Sequence, residues 1–171
     1  LGLMDQARDL GVDMIAFPEL AITGYPPEDL LFKVDFLQAN YQQMQKVMAA
    51  SMGITVVVGF VDPSDSNKVF NAAAVVHNGK LIGIYLKLYL PNYCVFDEKR
   101  YFHHGDSCPV FEINGIGIGV NICEDIWYEE GPTEIQCAVG AEVIVNINSS
   151  PYHVGKHHFR EKMLAERAIR N

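Results

Sequence analysis

The sequence is poor in positive charge. Lysine and arginine together number 13, against 21 aspartate and glutamate residues, which gives a formal net charge of −8 over 171 residues. Nucleic acids and anionic membranes are bound by surfaces on which lysine and arginine cluster. The charge therefore argues against both of these partners.

Long apolar runs are also missing. The longest, such as ITVVVGF, have the length of a strand, whereas a transmembrane helix needs about 20 consecutive apolar residues. The first residues, LGLMDQARDL, predict an amphipathic helix rather than a signal peptide. We therefore expect a cytoplasmic protein that does not enter a membrane.

Cysteine is scarce, and its spacing is not that of a redox or zinc pair. The four cysteines, which include no CxxC pair, are Cys94, Cys108, Cys123 and Cys137. A chain of this length can bury a core of its own and does not need disulfides. We therefore expect four free thiols in a reducing compartment.

Motifs for metals and for nucleotide phosphates are absent as well. Two groups of histidines lie close together in the sequence, His103 with His104, and His153 with His157 and His158. An HxxxH pair on a helix can bind zinc, but Gly155 interrupts the second group and no HExxH motif is present. No glycine–lysine loop of the Walker type occurs either. We expect no metal site and no cofactor in these residues.

Helical and strand patterns alternate along the chain. Helices are predicted at the start of the chain, over about 27–51, where Pro27 and two acidic residues open the segment, and over 132–141 and 155–171. Strands are predicted over 13–19, 54–62 and 142–149, and hairpins over 69–87 and 109–123. The main loops are predicted at 63–68 and 88–109.

The two hairpins decide between fold classes. Asn78-Gly79 and Asn114-Gly115 provide the positive-φ residues of tight hairpin turns. A doubly wound, all-parallel sheet would not contain antiparallel hairpins. The pattern therefore predicts an α/β sandwich with mixed sheets and helices packed outside.

Three reactive side chains share one local context, because Glu19, Lys87 and Cys123 each end a predicted strand. If adjacent strands of a sheet bring these ends together, a carboxylate, an ammonium and a thiol meet at one rim. The carboxylate could then take the thiol proton, and the ammonium could stabilise negative charge. Taken singly, each residue has a simpler interpretation, as a core thiol, a loop carboxylate and a solvated lysine.

Two acidic residues, Glu124 and Asp125, directly follow Cys123. Their negative charge would disfavour the thiolate form if they faced the sulfur. At a bend after a strand, however, consecutive side chains point in different directions. Neither carboxylate therefore needs to face Cys123, and the backbone N–H of Glu124 is free to serve as an oxyanion donor.

Three longer stretches resemble the nitrilase, or carbon–nitrogen hydrolase, superfamily: FPELAITGYPPEDLLFK, YLKLYLPNYCVFDEKRYFHHGD and NICEDIW. Together with NINSSPYHVGKHHFRE they extend the resemblance over nearly the whole chain. Within the superfamily the chain is most similar to the glutaminase domains of glutamine-dependent NAD synthetases. Cys94 stands where those domains more often have a small residue, a departure that leaves the catalytic residues untouched.

The resemblance implies a four-layer α-β-β-α fold and a catalytic triad of Glu19, Lys87 and Cys123. Cys123 would attack the amide of glutamine with Glu19 as general base, while Lys87 and the Glu124 N–H hold the oxyanion. Ammonia would then leave, and water would cleave the glutamyl thioester. Glu98 corresponds to the superfamily's additional carboxylate behind the lysine.

The resemblance also implies a substrate pocket. Tyr93, Ser149 and Ser150 match pocket positions in the family. Arg160 is a further candidate, for the carboxylate of glutamine, because an arginine can bind a carboxylate through two parallel hydrogen bonds.

A second domain is implied as well. The family's synthetase domain carries an SGGxDS-type loop for ATP, and no such stretch occurs here. The chain begins without methionine and ends within a helical pattern. We therefore expect residues 1–171 to be a fragment of a carbon–nitrogen hydrolase domain, with both sheets incomplete. The synthetase domain of the same polypeptide would bind ATP and Mg and amidate nicotinic acid adenine dinucleotide, in a homo-oligomer.

Two other functions stay open at this point. A stand-alone amidase of the same superfamily would use the same three residues on another small amide. A non-catalytic assembly module would keep the fold without the reaction. Glutamine hydrolysis, with and without Cys123, separates these alternatives.

Overall fold

The computed structural model describes residues 1–65 and 68–171. The helices are α1 (Gly2–Asp9), α2 (Val34–Ala49), α3 (Pro132–Ala138) and α4 (Lys156–Arg170). The strands are β1 (Met14–Ala16), β2 (Thr55–Asp65), β3 (Lys68–His77), β4 (Lys80–Leu86), β5 (Val110–Ile113), β6 (Ile116–Ile122) and β7 (Val143–Ile147). Short 3-10 turns cover Glu28–Phe32, Glu98–Arg100 and Cys123–Trp127.

Both sheets are mixed, as the sequence predicts. The first has the order β1-β2-β3-β4, with β1 parallel to β2 and the other pairs antiparallel. The second has the order β5-β6-β7, with β5 antiparallel and β7 parallel to β6. Both predicted hairpin turns are confirmed, because Asn78, Gly79, Asn114 and Gly115 all have positive φ.

The two sheets pack face to face around an apolar core. Val57, Val75 and Tyr85 of the first sheet belong to one buried cluster with Val120 and Ile122 of the second. This burial removes apolar surface from water and is the main force that joins the sheets.

Helices cover the outer faces of both sheets. Met4 of α1 and Met44 of α2 are buried against the outer face of the first sheet, in a cluster with Val56 and Phe60. On the second sheet, Gln136 of α3 donates a hydrogen bond to the carbonyl oxygen of Val120 at 2.8 Å. Helix α4 contacts the 3-10 turn Cys123–Trp127 through Arg167, and it lines a cavity of about 340 Å³ together with α3. The predicted four-layer α-β-β-α fold is confirmed.

The predicted helix over 27–51 is wrong in its first part. Residues Glu28–Phe32 form a 3-10 turn, Lys33 is extended, and α2 begins only at Val34. Leu31 of the turn is buried in a small cluster with Leu20 and Phe102. This tertiary contact with distant residues is not visible in the local helical pattern.

The predicted loop at 63–68 is also wrong where the structure describes it. β2 extends to Asp65 and β3 begins at Lys68, so polar residues continue the antiparallel ladder. Backbone hydrogen bonds hold this ladder, and a strand therefore tolerates polar side chains that suggest a loop. Residues 66–67 of the predicted loop lie outside the described residues. The loop at 88–109 is confirmed apart from the 3-10 turn at Glu98–Arg100.

All four cysteines are free, as predicted. The described helices include none that combines the length and apolar character needed to cross a membrane.

Candidate active site

The structure brings Glu19, Lys87 and Cys123 to one end of the sandwich. Lys87 directly follows β4, Cys123 directly follows β6, and Glu19 lies three residues beyond the end of β1. The expectation that adjacent strands of one sheet unite them is wrong. β1 and β4 lie at opposite edges of the first sheet, and β6 is the central strand of the second. The residues converge because the sheets stack and because the chain after β1 crosses over β2.

That crossing depends on Gly59 of β2. A Cβ atom at this position would lie 2.4 Å from the backbone nitrogen of Leu20 and 2.4 Å from the carbonyl oxygen of Pro18. Only a residue without a side chain lets the two backbones approach so closely. The crossing is secured by a hydrogen bond from the Ile22 N–H to the Gly59 carbonyl oxygen at 3.2 Å. Gly59 thereby sets the position of Glu19.

We expect Gly59→Ala to destabilise the protein and to lower its activity. The added methyl group meets backbone atoms that cannot move aside alone, and overpacking of this kind costs about 1–3 kcal/mol of folding free energy. Thermal unfolding and amide hydrolysis would be measured beside Gly2→Ala, because a Cβ at Gly2 meets nothing within 4 Å. Equal melting temperatures and rates for the two variants would contradict this role of Gly59.

A buried ion cluster forms the centre of the site. The Lys87 ammonium donates to Glu19 Oε1 at 2.6 Å and to both oxygens of Glu98 at 2.8 and 2.9 Å. Glu19, Lys87 and Glu98 are only 2%, 0% and 4% exposed. Buried charges of this kind persist in proteins when they are paired and hydrogen-bonded.

The charges in the cluster shift one another's pKa. Burial alone would lower the pKa of Lys87, but the carboxylates of Glu19 and Glu98 outweigh burial and raise that pKa above its ordinary value. Burial raises the pKa of Glu98, and the Glu19 charge adds to this rise while Lys87 opposes it. Lys87 is therefore a permanent ammonium held between two carboxyl groups.

Three neutral groups complete the cluster, and sequence reasoning missed all three of these contacts. The Asn71 side chain donates to Glu19 Oε1 at 2.8 Å, and the Tyr25 hydroxyl donates to Glu98 Oε1 at 2.9 Å. The Ser149 N–H donates to Glu19 Oε2 at 3.0 Å. The signal for Asn71 was present, since it is a lone amide within the apolar strand VFNAAAVV.

Cys123 begins the 3-10 turn Cys123–Trp127, called the Cys123 turn below. Its φ of +47° is left-handed, and such a conformation costs a residue other than glycine about 1–3 kcal/mol. The side chain is buried, and its sulfur lies 3.6 Å from the Ser150 hydroxyl oxygen. A strained residue in a buried polar site is typical of a functional position.

The thiol of Cys123 is protonated at neutral pH. Burial and then the Glu19 carboxylate raise its pKa to about 11, although the Lys87 ammonium acts in the opposite direction. The thiolate is the nucleophilic form of cysteine. Cys123 therefore needs a base to remove its proton before it can react.

The carboxylates of the two acidic residues after Cys123 are bonded to tyrosine hydroxyls. The Glu124 carboxylate accepts hydrogen bonds from the hydroxyls of Tyr93 at 2.8 Å and Tyr128 at 3.5 Å. The Asp125 carboxylate accepts the hydroxyl of Tyr85 at 2.8 Å. The strongest charge effects on the Cys123 thiol come from Glu19 and Lys87 instead.

The residues predicted to line the substrate pocket have different partners in the structure. Ser149 holds Glu19 through its N–H and through a hydrogen bond from its hydroxyl to the Glu19 carbonyl oxygen at 2.9 Å.

The other predicted pocket residues do not contact Glu19 in this way. Arg160 donates to the Asn148 side chain at 3.2 Å and lines, with Ser150, a cavity of about 470 Å³. Tyr93 is half exposed and bonded to Glu124. Their roles toward a substrate stay predictions.

The histidines do not form the HxxxH pattern on a helix. Helix α4 begins at Lys156, after Gly155, so His153 lies outside it. Within the described part of the chain, one group has ligand atoms close enough to share a metal ion: His157, His158 and Glu161, whose ligand atoms lie within 4.8 Å of one another. All three side chains are exposed, and the absence of a metal site stays a prediction.

The chain is similar to known proteins over its whole length. The carbon–nitrogen hydrolase family model matches residues 1–171. Glutamine-dependent NAD(+) synthetases from Thermotoga maritima and Aquifex aeolicus are 44% and 45% identical over 95% and 92% of this chain. The chain spans only 28% of the length of each of these curated relatives.

Solved structures show the same fold. Glutamine-dependent NAD+ synthetase from Acinetobacter baumannii superposes with a TM-score of 0.90 at 39% identity, over 96% of this chain and 31% of that one. An amidase from Nesterenkonia sp. AN1 superposes with a TM-score of 0.86 at 20% identity, over 99% and 66% of the two chains. The family model and the relatives agree, and the chain belongs to the carbon–nitrogen hydrolase family.

Proposed function

We propose that this chain is the glutaminase part of a glutamine-dependent NAD synthetase. The observation that carries the proposal is the buried ammonium of Lys87, held by two carboxyl groups beside the Cys123 thiol. The identity of about 45% to enzymes of that name supports glutamine as the substrate. Since the chain spans under a third of these relatives, the activity of the whole protein is part of the proposal.

Glu19 and Cys123 begin the proposed reaction. Glu19 takes the proton from the Cys123 sulfur, and the thiolate attacks the side-chain amide carbon of glutamine. The negative charge that develops on the amide oxygen is stabilised by the Lys87 ammonium and by the backbone N–H of Glu124. The first N–H groups of a helical turn lack partners within the turn, which suits Glu124 for this role.

The intermediate then collapses in two steps. The C–N bond breaks as Glu19 returns its proton to the leaving nitrogen, which departs as ammonia and leaves a glutamyl thioester on Cys123. Glu19 next removes a proton from water, and the hydroxide attacks the thioester carbon to form glutamate. As the C–S bond breaks, Glu19 returns the proton to the Cys123 sulfur and the free thiol is restored. Glu98 takes no proton in this sequence and holds Lys87 in place through two hydrogen bonds.

Four residues would bind glutamine. Ser150 contacts the Cys123 thiol and Ser149 the Glu19 carboxylate. Tyr93 is bonded to Glu124, the residue that follows Cys123. Arg160 would pair with the carboxylate of glutamine, and it borders the same cavity as Ser150.

The ammonia would be used elsewhere in the same polypeptide. A synthetase domain would hold ATP and Mg and amidate nicotinic acid adenine dinucleotide. The glutaminase part would need no cofactor of its own, and the whole enzyme would be a cytoplasmic homo-oligomer.

Ammonia release from different amides tests the substrate. We expect the full-length protein to hydrolyse glutamine at a kcat/KM at least about 100-fold above that for asparagine or acetamide, since a site that pairs buried polar groups with its substrate rejects analogues that leave them unpaired. A preference for a simple amide would instead favour a stand-alone amidase. Catalytic release from none of them would favour an assembly module.

A further inference from the structure

The Asp125 side chain is a buried carboxylate that the proposed reaction does not use. It is 0% exposed and lies within the Cys123 turn, two residues after the thiol. Three groups donate hydrogen bonds to it: the Ile122 N–H at 3.0 Å, the Tyr85 hydroxyl at 2.8 Å and the Tyr89 N–H at 2.9 Å.

These donors come from both halves of the site. Tyr85 and Tyr89 lie two residues before and two residues after Lys87, on the first sheet's side. Ile122 directly precedes Cys123 at the end of the second sheet's central strand. One carboxylate therefore ties the segment that carries the ammonium to the turn that carries the thiol.

The Cys123 turn needs hydrogen bonds of this kind to keep its conformation. Cys123 has a left-handed backbone, which surrounding contacts must hold in place. A hydrogen bond of 3.0 Å from the Ile122 N–H to Asp125 Oδ2 joins the residue before Cys123 to the residue two positions after it. At the other end of the turn, buried Arg167 donates to the carbonyl oxygens of Ile126 and Trp127.

A carboxylate suits this place better than an amide. Asp125 Oδ2 accepts two bonds and Oδ1 accepts the third, so both oxygens act as acceptors. An asparagine has one acceptor oxygen, and its NH₂ group would face a backbone N–H. Burial raises the pKa of Asp125 to about 6, while the backbone N–H groups of Tyr89 and Ile122 lower it, so the group is ionised at neutral pH.

We propose that Asp125 is a positioning residue that fixes the Cys123 thiol relative to the Lys87 ammonium. The inference rests on the proposed function, because it matters only if these two groups carry the reaction. Asp125 touches neither substrate nor reacting atoms in this role. It acts through the Tyr85 hydroxyl and the Tyr89 backbone N–H, on either side of Lys87, and through the turn at Cys123.

Asp125→Asn in the full-length protein tests the proposal. We expect kcat for glutamine hydrolysis to fall by about tenfold or more, since a misplacement of about 1 Å between reacting groups can cost a hundredfold. KM should stay within about threefold of the parent, because the substrate contacts are retained. Ammonia-dependent NAD formation should be unchanged, which shows that the rest of the protein is intact.

The control is Asn40→Asp, which makes the reverse exchange at another buried side chain. Asn40 links α2 to β2 through hydrogen bonds with the Val61 backbone, in the first sheet, whereas the Cys123 turn follows a strand of the second. This variant should lose stability but keep kcat within about threefold. A parallel loss of kcat in both variants would show a general structural effect and would overturn the proposal.

The outcomes separate this proposal from the function on which it rests. An active Cys123→Ala variant would overturn the proposed function. An inactive Cys123→Ala together with a fully active Asp125→Asn would overturn the positioning role alone.

If Asp125→Asn fails to fold, Tyr85→Phe tests the positioning role instead, because it removes one of the three hydrogen bonds to Asp125 and keeps the ring. A fall in kcat at unchanged KM supports the proposal, and an unchanged kcat refutes it.

Discussion

The Cys123→Ala variant is expected to lose glutamine-dependent NAD formation by about a thousandfold or more, because removal of a covalent nucleophile leaves only the contributions of binding and oxyanion stabilisation. Free ammonia should bypass the defect, since it enters the proposed reaction after the thioester. The measurement is the rate of NAD formation by the full-length protein with glutamine and with ammonium chloride as nitrogen donors.

Cys137→Ala is the matched control for this result. Cys137 lies on α3, outside the ion cluster, and its thiol is also free. It should retain the parent rate with both nitrogen donors. Glutamine-dependent turnover by Cys123→Ala within about tenfold of the parent, roughly 1.4 kcal/mol of activation free energy, would remove Cys123 from the mechanism.

Replacement of Lys87 by methionine should damage both activity and stability. The variant loses the ammonium that stabilises the oxyanion, and it leaves the carboxyl groups of Glu19 and Glu98 buried without a cation. Removing one partner of a buried ion pair costs about 3–5 kcal/mol of folding free energy. Thermal unfolding of the full-length protein and the glutaminase rate measure the two losses.

Lys80→Met provides the control on the same strand. Lys80 begins β4 and is exposed, and exposed substitutions usually change stability by less than about 0.5 kcal/mol. We expect Lys80→Met to keep both activity and melting temperature. Equal stability of the two variants would show that Lys87 is not the counter-charge of a buried cluster.

The instability of Lys87→Met should shrink as the pH falls. Burial already raises the pKa of Glu98 in the folded protein, and loss of Lys87 removes the charge that lowers it. A carboxyl group with a raised pKa in the folded state stabilises the fold below its unfolded pKa, and this contribution is lost as the pH rises through the folded pKa. Melting temperatures of parent and variant should therefore converge toward acidic pH.

Much of the fold could be read from local patterns. The Asn-Gly pairs at 78–79 and 114–115 mark hairpin turns because only residues tolerant of positive φ fit there, and both turns are present. Pro132 marks the start of α3 for a similar local reason. Signals of this kind depend on neighbours in sequence and need no knowledge of the tertiary structure.

Features that depend on distant residues could not be read in this way. The 3-10 turn over Glu28–Phe32 is packed through Leu31 against Phe102, far away in sequence. Gly59 of β2 has no local reason to be glycine and is explained only by the chain that crosses it at Pro18–Leu20. The register of a strand and the crossing of one chain segment over another depend on residues that are distant in sequence.

The residues of the candidate site were only partly accessible to sequence reasoning. Chemical type and placement at strand ends made Glu19, Lys87 and Cys123 candidates, and only the resemblance to carbon–nitrogen hydrolases implied that they form a triad. The residues that support them have ordinary sequence contexts. Asn71 and Asp125 contribute through hydrogen bonds to partners on other elements. Such contacts become visible only when the two sheets are assembled.

Covalent labelling tests the central claim most directly. A glutamine analogue that carries a diazoketone in place of the side-chain amide alkylates the nucleophile that attacks it. The full-length protein would be inactivated with this probe, digested and analysed by mass spectrometry, with excess glutamine as competitor. We expect one label, on Cys123, that glutamine prevents and that Lys87→Met greatly slows. A label on Cys94, Cys108 or Cys137, or inactivation that leaves Cys123 unmodified, would contradict the assignment.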